Sequence, residues 1–228
     1  MTEADPDNRS ERTRVRRQAI FIALSAAPFG VTFGIAAVEA GLSVAQAMGF
    51  SVLVFAGSAQ FAAVSVLGDG GTVAAAVIAG LLLNLRSLAF GVALAPALRG
   101  TWPWRALVSQ LMIDESTAVG TAQSTKSLRR YGYLAAGVAV FVVWNASTLL
   151  GAAVLSSSGD LVENLGLDAA IPAVFLALVW PRLADPTQRR LAVAGAAVAL
   201  LLSPFTAAGI PILASAGVVV LARGELRG

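Results

Sequence analysis

Arg86 stands in Leu83-Asn84-Leu85-Arg86-Ser87, in the middle of an apolar run from Thr72 to Leu98. A guanidinium there would lie near the midplane of a bilayer, where insertion scales put its cost at about 2.5–3.5 kcal/mol. A stable membrane helix has no need of it, so it marks the centre of a polar pathway. The carboxylates that could answer it are Asp114 and Glu115, which lie outside the termini and the evident loops. Such a set could hold a zwitterion. Arg86 would face its carboxylate, for which a fork of donors is suited, and Asp114 or Glu115 would face its ammonium or carry a coupling proton. A structural ion pair accounts for the same residues, and both readings stay open. Ser58, Gln60, Asn84 and Asn145 would supply neutral hydrogen bonds to a solute, and helix-to-helix bonding explains each of them as well.

Catalysis is a poor fit. The chain has no His and no Cys, which removes disulfides, Ser-His and Cys-His chemistry, and most zinc or haem sites. Gly57-Ser58 would need a base to activate the hydroxyl, and two adjacent carboxylates make a weak transition-metal site. No enzyme activity, cofactor or metal is expected.

The elements that must position these residues are membrane helices. The chain is 57% hydrophobic and 13% charged, whereas soluble domains average about 45–50% apolar and 25% charged residues. The fold class expected is all-α, a polytopic transmembrane bundle of about seven or eight spans, with some helices broken near the midplane. Residues 18–223 form one transmembrane domain, between a disordered cytoplasmic tail (1–17) and a short C-terminal tail (224–228). The net charge of +3 does not indicate a nucleic-acid partner, because most of the basic residues sit at helix ends, where the positive-inside rule puts them. The bilayer itself is the partner that composition demands. Arg16-Arg17 also resembles a twin-arginine signal, but a polytopic chain follows and the apolar run is read as its first span.

Span 1 is expected from Gln18 to Ala40, with Gly30 and Gly34 as a small-xxx-small face for another helix. Span 2 runs from Ala45 to Leu67 and span 3 from Thr72 to Pro96, joined by the turn Gly68-Asp69-Gly70-Gly71. Within span 3, Arg86 points about 200° away from Asn84 on a regular helix. Either the helix is interrupted near Asn84 or the two residues serve different neighbours. Ala106–Ala122 carries Gln110, Asp114, Thr117 and Thr121 at helical spacing and is read as a fourth, bundle-buried span. A basic loop with Lys126, Arg129 and Arg130 leads to span 5, from Tyr131 to Leu155. The acidic Ser156–Asp168 loop should be outside, followed by span 6, from Ala169 to Trp180. Leu191–Ser203 and Phe205–Leu221 complete eight crossings with both termini inside, an arrangement that leaves Arg99 and Arg105 on the outer side.

The same residues carry a family resemblance. Pro28-Phe29-Gly30 with Phe33-Gly34, then Phe55-Ala56-Gly57-Ser58-Ala59-Gln60-Phe61, then Asn84-Leu85-Arg86, then Asp114-Glu115 resemble the AzlC family in order and spacing. The resemblance implies the large subunit of a two-component permease in the bacterial plasma membrane. Such a permease exports leucine, isoleucine, valine and related apolar amino acids, methionine among them. It also implies a small hydrophobic partner subunit of the AzlD type and a secondary transport mechanism. Gln60, Asn84, Arg86, Asp114 and Glu115 are the site residues that carry over. One departure is Ser87, where many members have His.

Overall fold

The computed structural model describes residues 6–156 and 180–206, with isolated positions at 176, 210, 211, 214, 215 and 217. The described residues are helical, in nine α-helices. They are α1 (Pro6–Glu39), α2 (Val44–Val54), α3 (Gly57–Gly68), α4 (Val73–Asn84) and α5 (Arg86–Leu94). α6 (Trp102–Ser109), α7 (Asp114–Thr121), α8 (Lys126–Leu150) and α9 (Pro186–Leu202) follow. A π-helical turn, Gly151–Leu155, prolongs α8.

Local chemistry explains several of the helix starts. Ser43 and Gln46 form a reciprocal capping box at α2. Thr72 caps α4, Thr125 caps α8 and Asp185 caps α9, each through a side-chain oxygen that accepts first-turn N–H groups. Gly70, at φ +78°, makes the α3–α4 turn in a conformation that a side chain would strain.

α1 and α8 lie side by side and run in the same direction. Arg12 sits over the Tyr131 ring, Gly30 meets Trp144 and Ser147, and Gly34 meets Thr148. The expected small-residue face of α1 therefore has α8 as its partner. A Cβ at Gly34 would collide with the Thr148 carbonyl, and one at Gly151 with the Val31 carbonyl. Phe33, fully buried, anchors this seam by stacking on Trp144 and meeting Phe50 and Phe61 edge-on.

The second and fourth expected spans take a different form. α2 descends along α8 to its end beside Phe141, where Phe55 packs at 4.9 Å between ring centroids. α3 then turns back, so that its last residue, Gly68, lies against Ala40 at the end of α1. The Gln60 amide bonds across the pair to the Phe50 carbonyl at 3.1 Å. α6 and α7 repeat this from the opposite end of the bundle. Trp104 lies under Arg130, Leu111 reaches Gly137, and Gly120 returns to Arg129 and Tyr133. Each pair is a re-entrant hairpin whose tip stops part-way along α8. Non-helical backbone at membrane depth is tolerated where protein or a cavity surrounds it.

Three helices among the described residues are long and apolar enough to cross a membrane: Arg9–Glu39, Val73–Leu94 and Lys126–Val154. The middle one, α4–α5, runs opposite to the other two, as its Gly80 contact with Ala59 and the Leu94 contact with Gly120 show. Its exposed Val73, Val77, Leu81, Leu88 and Val92 suit a helix solvated by hydrocarbon, since lipid tails are as apolar as leucine.

Four expectations change. Spans 2 and 4 fold back instead of crossing, which also moves Arg99 and Arg105 to the end of the bundle that holds Arg12 and Lys126. The Gln110-to-Thr121 stripe is not one helix, because the chain unwinds from 110 to 113. Residues 6–17, read as disordered, continue α1, and Val15 and Ala19 are buried with Val119 and Ala136. Lys126, Arg129 and Arg130 belong to the first turns of α8, not to a loop. Span 6, the Ser156–Asp168 loop beyond Ser156, the Phe205–Leu221 segment and the C-terminal tail lie, apart from isolated positions, outside the described residues. Leu191–Ser203 corresponds to α9.

Candidate functional site

The two hairpin tips approach each other beside the nick in α4–α5, and three helices begin there without a side-chain cap: α3, α5 and α7. First-turn N–H groups have no partner within their own helix, so the start of α3, left uncapped at depth, is positioned to meet something else, whereas α5 continues directly from α4. At the first tip Phe55 adopts φ +36°, ψ 55°. This left-handed conformation costs a residue with a Cβ about 1–2 kcal/mol. The geometry ends α2 and lets the chain reverse into α3.

In α4–α5 the interruption at Asn84 is real but slight. Leu85 stays right-handed, and Leu88 N–H bonds to the Leu85 carbonyl three residues back at 3.1 Å. The tightened turn brings Asn84 and Arg86 to one cavity instead of opposite faces. Arg86 Nη2 lies 2.8 Å from Asp114 Oδ2 and donates to Ser58 Oγ at 2.7 Å. One guanidinium thus ties α5 to both hairpins. Ser87 Oγ donates to Asn84 Oδ1 at 2.8 Å, and Glu115 adds a second carboxylate to the wall.

These residues open on a cavity of about 760 Å³, within the range of about 300–1,000 Å³ usual for small-molecule sites. Ser58, Asn84, Arg86, Ser87, Asp114 and Glu115 form a polar end. Phe29, Phe55, Phe61, Phe90 and Trp144, with Ile22 and Val140, supply apolar wall. The ion pair is partly open, with the Arg86 and Asp114 side chains 35% and 39% exposed. Thr117 and Trp144 also line the cavity, and Thr117 Oγ1 and Trp144 Nε1 are buried with no hydrogen-bond partner among the described residues. Among the described residues no cluster of three or more acidic side chains could hold a metal ion.

Of the seven residues singled out in the sequence, the structure brings five together: Ser58, Asn84, Arg86, Asp114 and Glu115. Gln60 and Asn145 do not line the cavity. Gln60 holds the first hairpin closed through the Phe50 carbonyl, and Asn145 donates to Phe141 O within α8 at 2.8 Å. Sequence reasoning missed Thr117, as a site residue, and Trp144. It also missed Gln110 as a link between the tips: Gln110 Nε2 donates to the Val52 and Leu53 carbonyls at 2.8 and 2.9 Å.

Crossing helices of apolar exterior, two opposed hairpins and a charged cavity at their tips define an integral membrane protein with a solute-sized internal site. The chain belongs to the AzlC protein family, whose model matches residues 22–157. It is 29% identical over 200 residues to an uncharacterized membrane protein of Archaeoglobus fulgidus, covering 86% of each chain. It is 26% identical over 216 residues to the inner membrane protein YgaZ of Escherichia coli (strain K12), covering 89% of this chain and 84% of YgaZ. A Helicobacter pylori membrane protein is 23% identical over 185 residues, covering 75% of each chain. No solved structure matches the chain.

Proposed function

We propose that this protein is the large subunit of a two-component secondary permease that exports leucine, isoleucine, valine and methionine. The observation that carries the reading is the Ser58–Arg86–Asp114 cluster, with Glu115, set at one end of an otherwise aromatic cavity. A zwitterionic head group finds both charges there, and a branched aliphatic side chain finds rings to displace water from. In this reading Asp114 or Glu115 receives the ammonium group, Arg86 meets the carboxylate, and Ser58 and Asn84 add neutral hydrogen bonds. The protein moves its cargo unchanged and performs no catalysis.

The opposed hairpins suit alternating access. Discontinuous helices that meet near the midplane, entering from opposite faces, are a recurring architecture of secondary transporters. In this reading the end of the bundle that holds Arg12, Arg99, Arg105, Lys126, Arg129 and Arg130 faces the cytoplasm of a bacterial plasma membrane, as the positive-inside rule asks, and the N-terminus lies on that side. A small AzlD-like membrane subunit completes the transporter.

A non-transporting membrane scaffold is the rival from another class. Cells loaded with leucine, isoleucine, valine or methionine separate the two. Efflux is compared for the chain alone, the chain with an AzlD-like subunit, and the same complex carrying Arg86→Gln at matched membrane abundance. The permease reading expects faster efflux with the partner and loss of that gain in the variant. Unchanged efflux in a well-expressed complex would remove the branched-chain assignment.

A further inference from the structure

Trp144 occupies an unusual place in the cavity wall. It projects from α8, 7% exposed, with one face stacked on Phe33 at 6.2 Å and 25° and the Phe61 ring perpendicular to it at 6.3 Å. Phe33 and Phe61 are themselves buried, so the indole is held from behind and cannot retreat. Its free edge reaches the start of α3, where a Cβ on Gly57 would lie 3.1 Å from Trp144 Cη2. The next residue is Ser58, which accepts the Arg86 hydrogen bond. The ring edge therefore stands one residue from the polar end of the cavity, where the side chain of a bound solute leaves its head group.

Stability alone does not call for an indole at this position. Its N–H is buried with no acceptor among the described residues, and an unmet buried donor is a cost that phenylalanine would avoid. Phenylalanine would keep an aromatic surface against Phe33 and Phe61 but would not reach as far toward Gly57.

We infer that Trp144 and Gly57 together are the specificity gauge of the cavity: the indole edge limits the side chain that fits, and Gly57 keeps the space the edge needs. This rests on the permease reading for the identity of the cargo, while the size limit belongs to the cavity alone. Changing the two residues should move selectivity in opposite directions. Trp144→Phe shortens the gauge and admits a longer or aromatic side chain. Gly57→Ala thrusts a methyl group at a ring that cannot shift, and penalises branched side chains relative to alanine. A pocket difference of one or two carbons changes relative affinity by about 10- to 200-fold.

The test is calorimetric titration of the full-length chain in lipid nanodiscs, as wild type, Trp144→Phe and Gly57→Ala. The probes are alanine, leucine and phenylalanine, together with ethylamine, isoamylamine and 2-phenylethylamine, which lack the carboxylate. The expected result is a phenylalanine-to-leucine affinity ratio raised about tenfold or more by Trp144→Phe and a leucine-to-alanine ratio lowered by Gly57→Ala. If leucine binds the wild type and neither variant moves its ratio, the gauge is overturned and the permease reading stands. If only the amines bind and their ratios move as stated, the gauge holds and the amino-acid reading falls. If no probe binds the wild type, both are overturned. Should one variant fail to fold, the other decides, since each has its own direction.

Discussion

The α1–α8 seam and the meeting place of the hairpin tips use the same kind of residue to opposite ends. Along the seam, glycines let two long helices touch backbone to backbone, and beside it Ser51 of α2 donates to Thr148 Oγ1 at 3.3 Å. At the tips, small residues such as Ala56, Gly57 and Ser58 leave space, and that space is the cavity. The helices that begin at the capped sites, α2, α4, α8 and α9, have side chains on their first N–H groups. At the cavity, α3 begins with no side-chain cap, while Ser116 Oγ at the start of α7 accepts from the Ile113 N–H at 3.2 Å. The seam is built to stay, and the first tip keeps an uncapped helix start beside the cavity, which is where a solute can act.

Substitutions that fill space sharpen this contrast most. Gly34→Leu should abolish monodisperse protein on size-exclusion chromatography, because overpacking costs about 1–3 kcal/mol and more where backbone must part. Gly49→Leu, on a helix face with nothing within 4 Å, should behave as wild type. Equal behaviour of the two would mean that the seam is not close-packed.

At the first tip the order of two variants is diagnostic. Phe55→Ala loses the ring packed on Phe141 and should cost about 3–5 kcal/mol. Phe55→Gly loses the same ring but escapes the left-handed penalty of about 1–2 kcal/mol. Glycine should therefore unfold later than alanine in a denaturant titration, the reverse of their order in a helix. Gln110→Ala is expected to be milder. It leaves the exposed Val52 and Leu53 carbonyls without their donor, and a hydrogen bond is worth about 0.5–1.5 kcal/mol net. Faster amide exchange at both hairpin tips, with none along the α1–α8 seam, is the signature to look for.

The smallest effect belongs to Asp185, which is fully exposed. Backbone N–H groups of Gln188 and then Thr187 hold its carboxyl below the ordinary aspartate range. A carboxyl depressed in the folded state contributes fully above its unfolded value of about 3.9 and loses that contribution as pH falls through the lower folded value. The protection of the Thr187 and Gln188 amides, relative to their intrinsic exchange rate at each pH, should fall across that acidic window, and Asp185→Ala should remove this fall.

Much of this site was legible in the chain because charge is expensive in hydrocarbon. Arg86 inside an apolar run demanded a partner, and Asp114 was one of the two acidic residues placed to answer it. Gly30 and Gly34 announced a close helix contact for a similarly local reason. The re-entrant hairpins were not legible. Phe55 carries the left-handed turn that glycine or asparagine usually signals, and Gln110, Thr117 and Thr121 imitate one helical stripe across a break. Polar composition concealed the helical course of residues 6–17, since Val15 alone among their described side chains is buried. Gln60 and Asn145 drew attention as polar residues in apolar helices, but each satisfies a nearby carbonyl. Trp144 gave no signal, because an aromatic residue in an apolar helix looks the same whether it fills a core or lines a cavity.

The central claim is that the Arg86–Asp114 pair acts on cargo and does not merely brace the bundle. Leucine efflux at matched membrane abundance, from Arg86→Gln, Asp114→Asn and the double variant, tests it most directly. A bracing pair tolerates joint neutralisation, because the large penalty, about 3–5 kcal/mol in a fully buried pair and less in this half-open one, comes from stranding one charge. A pair that binds cargo does not tolerate it. All three variants are expected to lose at least about tenfold in rate, the equivalent of 1.4 kcal/mol. A double variant that exports leucine as fast as the wild type would contradict the assignment.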